Sequence, residues 1–469
     1  MELTDLSAKE LAKGYRAKEF SATDAVSTHL SAIEKQNPEL NVYLEVFDDV
    51  LESAMRADAA LAAGDAHPLT GIPMAVKDNI LIEGKRVSAA SKILEGYVAS
   101  YDATCIARLK KTGPIFLGRV NMDEFAMGAS TENSAFGVTK NPHDTTRVPG
   151  GTSGGSAAAV AARLAPIALG TDTGGSVRQP GSLCGVYGFK PTYGGISRYG
   201  LIAMGSSLDQ LGVNARTVSD IETVFEVVRG SDPKDGTTLP SEGQQGVANK
   251  RIGVPRAFVK GARPDTVAEF ERSLETLAKN GYEIIDIELP TAFHAVAAYY
   301  IIMPAEVSTN LSRFDGMRYG LHVEKPNLLE EYMATREAGF GAEAKRRIML
   351  GAYVLSAGYY DAYYRRATVL RGALVKEFDS VFENVSYIAT PTATGPAFKI
   401  GAKSDPVSMY LEDIFTVSAN LSGVPALSVP FGEVEEEGKK LPVGVQFMSP
   451  KRTESSLFSI ARDLMGETA

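Results

Sequence analysis

Tryptophan is absent from the 469 residues, cysteine occurs twice and histidine five times. Cys105 and Cys184 lack C-x-x-C spacing, which argues against a disulfide framework or a thiolate zinc site and for two reduced thiols in the core. No apolar run reaches the roughly 18 residues that a membrane span requires. The amino-terminal stretch MELTDLSAKELAKGYRAKEF mixes both charge signs and has no apolar centre, so it does not read as a secretion signal, and the chain is expected in the cytoplasm. A basic excess is missing too. The 48 lysines and arginines are outnumbered by 57 acidic residues, giving a net charge of −9, so no overall attraction to nucleic acid or anionic lipid is expected. Nor is there a GxxxxGK[ST] phosphate loop, which weakens any reading of the glycine-rich turns as a phosphate cradle.

What is present is apolar patterning, with hydrophobic residues at 44%, enough for a sizeable core. Helical periodicity runs through 8–18, 23–35 and 48–63, the last stopped by Gly64, so residues 1–65 are expected to form a helical wrapping. The pattern then changes. Short apolar runs bounded by Gly and Pro, GIPMAVKDNI (71–80) and PIFLGRV (114–120), flank the helical DATCIARLKKTG (102–113), an alternation that predicts an α/β sheet with buried strands. AAAVAARLA (157–165) predicts a small-residue helix and IALG (167–170) a strand. From 263 to 378 the chain reads as mostly helical and tyrosine-rich, after which SYIATPTATGP, ALSVPFGEV and VGVQFM return to strand character. Short linkers are expected near 230–250 and 432–441. The organisation predicted is one domain over 1–469 with a helical insertion at about 263–378.

Two Gly-Gly-hydroxyl turns stand close together, Gly150-Gly151-Thr152-Ser153 and Gly174-Gly175-Ser176, both at ends of predicted elements. Residues 151–155 fit the G-x-S-x-G elbow that exposes a serine nucleophile, although an ordinary helix cap satisfies the same pattern. Such an elbow also needs a base. None of His29, His67, His143, His294 and His322 has a glycine-rich or strand-end context, and lysine is the substitute. Lys77 follows Ile72, Met74 and Val76 on a buried run, where loss of water favours its neutral form; the alternative is a pair with Asp78 or a lysine snorkelling from a strand end. A hydroxyl interposed between lysine and nucleophile would explain two hydroxyl turns in place of one. In TDTGGS (171–176), consecutive N–H groups are able to converge on one oxygen as an oxyanion hole, typically worth roughly 3 kcal/mol per donor.

The block GGTSGGSAAAVAA…GTDTGGSVRQP together with GIPMAVKDN resembles the amidase signature enzymes, Ser-Ser-Lys amide hydrolases. Here 75 residues separate Lys77 from Thr152 and 24 separate Thr152 from Ser176, the spacing of that family. The resemblance implies an α/β amidase-type fold, a large mixed and mostly parallel sheet covered by helices. It makes Lys77 the general base, Thr152 the bridging residue on a cis peptide bond, Ser176 the nucleophile, and Thr173, Gly174 and Gly175 the oxyanion hole. The family usually has serine at the bridging place. Threonine keeps the hydroxyl, adds a methyl and stiffens χ1, and Ser153 is the substitute hydroxyl next door.

RVNMDEFAMGASTENSAFG (119–137), NLSRFDGMRYG (310–320), AKRRIMLGAYVLSAGYYDAYY (344–364) and the late LPVGVQF are similar to the A subunits of bacterial aminoacyl-tRNA amidotransferases, over nearly the whole chain. This similarity implies glutamine as substrate, its α-carboxylate gripped by Arg347, its α-ammonium by Asp413 in MYLEDIFT, and Tyr299 nearby. It also implies a heterotrimer with B and C subunits, no cofactor or metal on this chain, and ATP and Mg²⁺ on the B subunit, which takes ammonia to Glu-tRNA(Gln) or Asp-tRNA(Asn). Two further readings stay open: a free-standing amidase of small or aryl amides, and an inactive scaffold subunit.

Overall fold

In the computed structural model, which describes residues 2–64, 66–242, 246–403 and 405–467, eleven strands join in one sheet. They are β1 (Tyr43–Val46), β2 (Pro73–Lys77), β3 (Ile115–Val120), β4 (Ile167–Thr171), β5 (Tyr187–Lys190), β6 (Leu211–Ala215), β7 (Arg251–Val254), β8 (Glu283–Asp286), β9 (Tyr387–Pro391), β10 (Ala426–Glu436) and β11 (Lys439–Met448). Their order across the sheet is β1-β3-β2-β4-β6-β5-β10-β11-β9-β7-β8. Every residue of β2, β4, β5, β6 and β9 is buried, which is why these strands read as short continuous runs instead of alternating ones.

The sheet is mixed, as expected, but parallel pairing is not its majority. Among the described residues four neighbouring pairs are parallel, β2–β3, β2–β4, β7–β8 and β7–β9. Six are antiparallel: β1–β3, β10–β11, β10–β5, β11–β9, β4–β6 and β5–β6. Strand-helix-strand alternation gives the parallel pairs within residues 71–171 and again at 251–286, where helix Pro264–Lys279 joins β7 to β8. Elsewhere, reversals such as the β10–β11 hairpin turn neighbours antiparallel. That hairpin occupies part of the expected 432–441 linker. Glu437 and Gly438, with φ of 54° and 75°, form the two-residue turn, whose left-handed backbone matches strand twist. The 230–250 stretch holds no helix or strand among its described residues, and 243–245 lie outside them. Bonds from Thr104 and Ser197 to Asp232, and from Arg198 to Asp235, tie its first part to the body.

Helices Ala8–Ala17, Ala22–Leu40 and Val50–Ala63 form where the periodicity placed them, the first two opened by Ser7 and Ser21 capping boxes. The amino-terminal wrapping is not wholly helical, however. Val42 and Tyr43 are buried, and β1 adds an antiparallel edge strand to β3, so tertiary pairing captures a segment too short to show a period. For the same reason β8 interrupts the 263–378 region, which otherwise holds helices Pro264–Lys279, Ala295–Asn310, Leu328–Gly339, Ala342–Leu355 and Tyr364–Phe382. Cys105 and Cys184 are both buried and unpaired, and burial pushes the Cys105 thiol up to about 12. Among the described residues no helix is long and apolar enough to cross a membrane.

β2 and β4 are parallel neighbours, with Met74 opposite Ile167 and Val76 opposite Leu169. Their carboxyl ends, Lys77 and Thr171, therefore emerge side by side at one edge of the sheet.

Candidate active site

Lys77 is fully buried, and its Nζ lies within hydrogen-bond distance of four oxygens, Thr152 Oγ1 (2.8 Å), Ser153 Oγ (2.8 Å), Thr171 Oγ1 (2.9 Å) and Thr171 O (3.3 Å), among which its N–H groups are shared. The anticipated pair with Asp78 does not form. Asp78 instead takes the N–H groups of Ser88 and Ala90 and an ion pair with Arg119 at 3.0 Å. Burial lowers the Lys77 ammonium to about 7 even though the carboxylates of Asp123, Asp172 and Asp209 oppose it, so a large neutral fraction exists near neutral pH. A second buried lysine shows what is particular here. Lys190 is lowered to about 7 for the same reason, but its Nζ meets the carbonyls of Pro191 (2.8 Å) and Val424 (2.6 Å) and so has no hydroxyl among these partners from which to draw a proton.

The first hydroxyl turn opens helix Gly154–Ala161, and the Gly151–Thr152 peptide is cis. Its two hydroxyls are not equivalent. Ser153 Oγ donates its single proton to Thr171 O (3.1 Å), while Lys77 and the Thr171 N–H donate to it. Thr152 Oγ1 has no such commitment to Thr171, which leaves its proton the freer one to move. The two turns touch directly, for Ser153 N–H donates to the Ser176 carbonyl at 3.0 Å.

The second turn leaves the end of β4 and leads into helix Arg178–Leu183. Asp172 pins it. Burial alone would raise that carboxyl, but the Arg178 guanidinium beside it outweighs the effect and holds it well below the carboxylate range. It accepts the N–H of Gly175 (3.0 Å) and of Val177 (3.3 Å), so of the three expected oxyanion donors the Gly175 N–H is already taken. The N–H groups of Thr173 and Gly174 have no acceptor among the described residues. Thr416 Oγ1 donates to Gly174 O (2.6 Å) and fixes that peptide plane. Only glycine fits at 175, where φ is 133° and a Cβ would stand 2.1 Å from Thr416 Oγ1.

Tyr299, Arg347 and Asp413 come together from three segments. Arg347 is buried, with Nε on Glu343 Oε1 (2.7 Å), Nη1 on Met303 Sδ (3.5 Å) and, among the described residues, no hydrogen-bond partner at Nη2. Its guanidinium lies 5.1 Å from the ring centroid of Tyr300 and 5.2 Å from that of Tyr410, two rings stacked 3.9 Å apart. Tyr300 Oη donates to Asp413 Oδ2 at 2.9 Å, and burial raises the Asp413 carboxyl to about 7. Tyr300 is thus the tyrosine between the two charged groups. Tyr299, the expected one, faces the oxyanion turn instead: a Cβ on Gly174 would come within 2.7 Å of its Oη. Reasoning on the sequence missed Tyr300, Tyr410, Glu343 and Thr416. The YY pair at 299–300 marks the place, but which ring points where depends on helix orientation.

Among the described residues, none of the five histidines bonds to these groups. His29 is buried on Ala25 O and lowered to about 4, and His143 Nε2 sits 3.0 Å from Cys184 O.

Fold and site together define an amidase. A family profile described as Amidase matches residues 24–458, and the chain belongs to that family. It is 50% identical to the A subunit of glutamyl-tRNA(Gln) amidotransferase from Roseiflexus castenholzii, over 98% of this chain and 94% of that one. The corresponding A subunit from Desulfatibacillum aliphaticivorans is 46% identical over 100% and 98%. Among solved structures, the glutamyl-tRNA(Gln) amidotransferase A subunit from Thermotoga maritima aligns at 40% identity with a TM-score of 0.81, covering 99% and 95% of the two chains. A peptide amidase of Stenotrophomonas maltophilia aligns at 29% identity, TM-score 0.82, covering 98% and 96%.

Proposed function

We propose that the chain is the glutamine-hydrolysing A subunit of a tRNA-dependent amidotransferase. The observation that carries this reading is the unpartnered Arg347 Nη2, buried with Asp413 across the Tyr300 ring. A buried cationic N–H without an acceptor is costly, and a substrate carrying both a carboxylate and an ammonium satisfies Arg347 and Asp413 at once. A plain amide satisfies neither.

In this reading Ser176 Oγ attacks the side-chain carbonyl carbon of glutamine. Its proton passes to Thr152 as the Thr152 proton passes to Lys77, and the oxyanion rests on free N–H groups of the 173–176 turn. Lys77 returns a proton through the same hydroxyl to the departing nitrogen, so ammonia leaves and a γ-glutamyl ester remains on Ser176. Water, deprotonated by the same relay, cleaves that ester to glutamate and free serine. Ammonia then passes to a partner B subunit, which uses ATP and Mg²⁺ on glutamyl-tRNA(Gln), with a C subunit completing the heterotrimer. The likeness to A subunits over nearly the full chain supports this assignment. Cytoplasmic location follows from tRNA amidation.

The test is ammonia release from glutamine by the chain alone and with B and C subunits, ATP and glutamyl-tRNA(Gln). Glutamine-dependent turnover that Ser176→Ala abolishes supports the proposal. Hydrolysis of simple amides without glutamine turnover would replace it with a free-standing amidase, and no turnover of either with an inactive scaffold.

A further inference from the structure

Two consecutive buried carboxylates, Asp123 and Glu124, follow β3 and lie outside the relay described above; they are 0% and 2% exposed. They reach in opposite directions. Asp123 accepts the N–H groups of Thr131 (2.8 Å), Asn133 (3.0 Å) and Ser130 (3.4 Å), and its own N–H donates to Thr152 O at 3.4 Å. The carboxylate is pressed against the relay turn: a Cβ on Gly151 would stand 2.2 Å from Asp123 Oδ2. Thr131, in the loop shaped around Asp123, donates to Gly150 O (2.7 Å) and accepts Gly154 N–H (3.1 Å), so the loop grips both flanks of Thr152.

Glu124 reaches the other half of the site. Its two oxygens take the Gly341 N–H at 2.8 and 3.1 Å, and the Ser91 hydroxyl closes on Oε1. Gly341 is the residue before helix Ala342–Leu355, the helix that carries Glu343 and Arg347. A negative group there is favoured by the four unbonded N–H groups and the dipole of the helix end. The fit is close, since a Cβ on Gly341 would come within 2.5 Å of Glu124 Oε2. Phe125, next in line, packs on Phe314 and Phe340 with centroids 5.0 and 5.6 Å away, anchoring the same strap in the helical region.

We infer that Asp123 and Glu124 are paired positioning residues that set the distance between the Lys77–Thr152–Ser176 apparatus and Arg347, and so fix the length of side chain whose amide reaches Ser176 when its α-carboxylate sits on Arg347. This rests on the glutaminase reading. The physical argument is rigidity. Adjacent residues share one peptide unit, so two carboxylates bonded to separate halves of a site are held at a short fixed spacing, whereas another polar tie between these halves runs through side chains of a longer segment, from Tyr410 Oη on Glu343 (3.0 Å) to Thr416 Oγ1 on Gly174 O (2.6 Å). Glutamine and asparagine carry the same α groups and differ by one methylene, which makes their ratio the natural gauge of that distance.

The experiment measures kcat and KM for glutamine and for asparagine, and the Kd of L-glutamate by calorimetry, in the wild type and in four variants. Glu124→Ala is expected to raise the glutamine KM and the glutamate Kd together by about tenfold, to leave kcat within about threefold, and to narrow the glutamine/asparagine ratio of kcat/KM. Glu124→Gln, whose amide oxygen still accepts Gly341 N–H, should recover part of the loss. Asp123→Asn is expected to lower kcat by about tenfold or more with glutamate Kd unchanged. It should also move the acid limb of kcat/KM to lower pH, because one of the three carboxylates that hold the Lys77 proton is gone while Asp172 and Asp209 remain. Ser91→Ala is the milder probe of the Glu124 arm if larger changes unfold the chain, which melting curves report.

The inference is overturned if the Glu124 variants leave KM, glutamate Kd and the substrate ratio unmoved, or if variants of both residues depress the same parameter with no pH displacement. A wild type that does not turn over glutamine overturns the glutaminase reading itself, and the two failures are separate.

Discussion

The two ends of the site are built differently. The hydroxyl end, with Lys77, Thr152, Ser153 and Thr171, comes from residues on or beside two adjacent parallel strands, and four oxygens lie within hydrogen-bond distance of Lys77 Nζ there. The charged end, with Arg347, Asp413, Tyr300 and Tyr410, comes from separate helical segments and leaves one guanidinium nitrogen without a hydrogen-bond partner among the described residues. In the proposed reading the satisfied cluster moves protons among its own members and the unsatisfied one is completed by substrate, so the contrast is one of chemistry against recognition.

The largest effect should come from breaking the chemical end. Ser176→Ala or Lys77→Ala is expected to lower kcat about 10⁴-fold or more with the fold retained, checked by ammonia release alongside circular dichroism. At the recognition end, Arg347→Ala should cut kcat/KM for glutamine about 100-fold, chiefly through KM, while any hydrolysis of an amide without an α-carboxylate stays within about threefold. Equal loss on both substrates would erase the distinction between the two ends.

Acidity sharpens the comparison. In the proposed mechanism Lys77 is the neutral base, so protonation through its value of about 7 is expected to remove activity as pH falls, and activity to rise with pH through that region. Asp413 must be ionised to hold an ammonium and also titrates at about 7, so its contribution is lost in the same direction. The acid limb of kcat/KM is therefore expected to be steeper than that of kcat, where bound substrate already holds Asp413 ionised. Pre-steady-state rates at saturating and limiting glutamine check this.

Within the hydroxyl turn the conservative change is expected to have the smallest effect. Thr152→Ser should keep kcat within about threefold, whereas Thr152→Val should lose about 100-fold, the range of one general acid-base step. If Ser153→Ala proved as damaging as Thr152→Val, the proton relay would have to be assigned to both hydroxyls.

The chemical end was legible because its parts are local. A buried strand ending in lysine and two glycine-hydroxyl turns at element ends each carry their own signature, and all lie between residues 77 and 176. The recognition end was legible only in its charges, Arg347 and Asp413, through resemblance. Its tyrosines were not, since Tyr299 and Tyr300 are neighbours in sequence and point to different tasks. β1 and β8 escaped because strands of four residues carry no reliable period, and the antiparallel majority escaped because pairing direction is a property of connections that cross the sheet.

What the sequence by itself determined is the set of candidate reactive groups and their spacing, because backbone freedom at glycine, burial of an apolar run and the hydroxyl of a turn residue are short-range properties. Only the tertiary structure decided that Ser153 spends its proton on Thr171, that Asp172 takes the Gly175 N–H, that Tyr300 stands between Arg347 and Asp413, and that Asp123 and Glu124 join the two ends. Each of these depends on which of several chemically equivalent donors lies nearest one acceptor. That is settled by tenths of an ångström in packing between segments up to hundreds of residues apart.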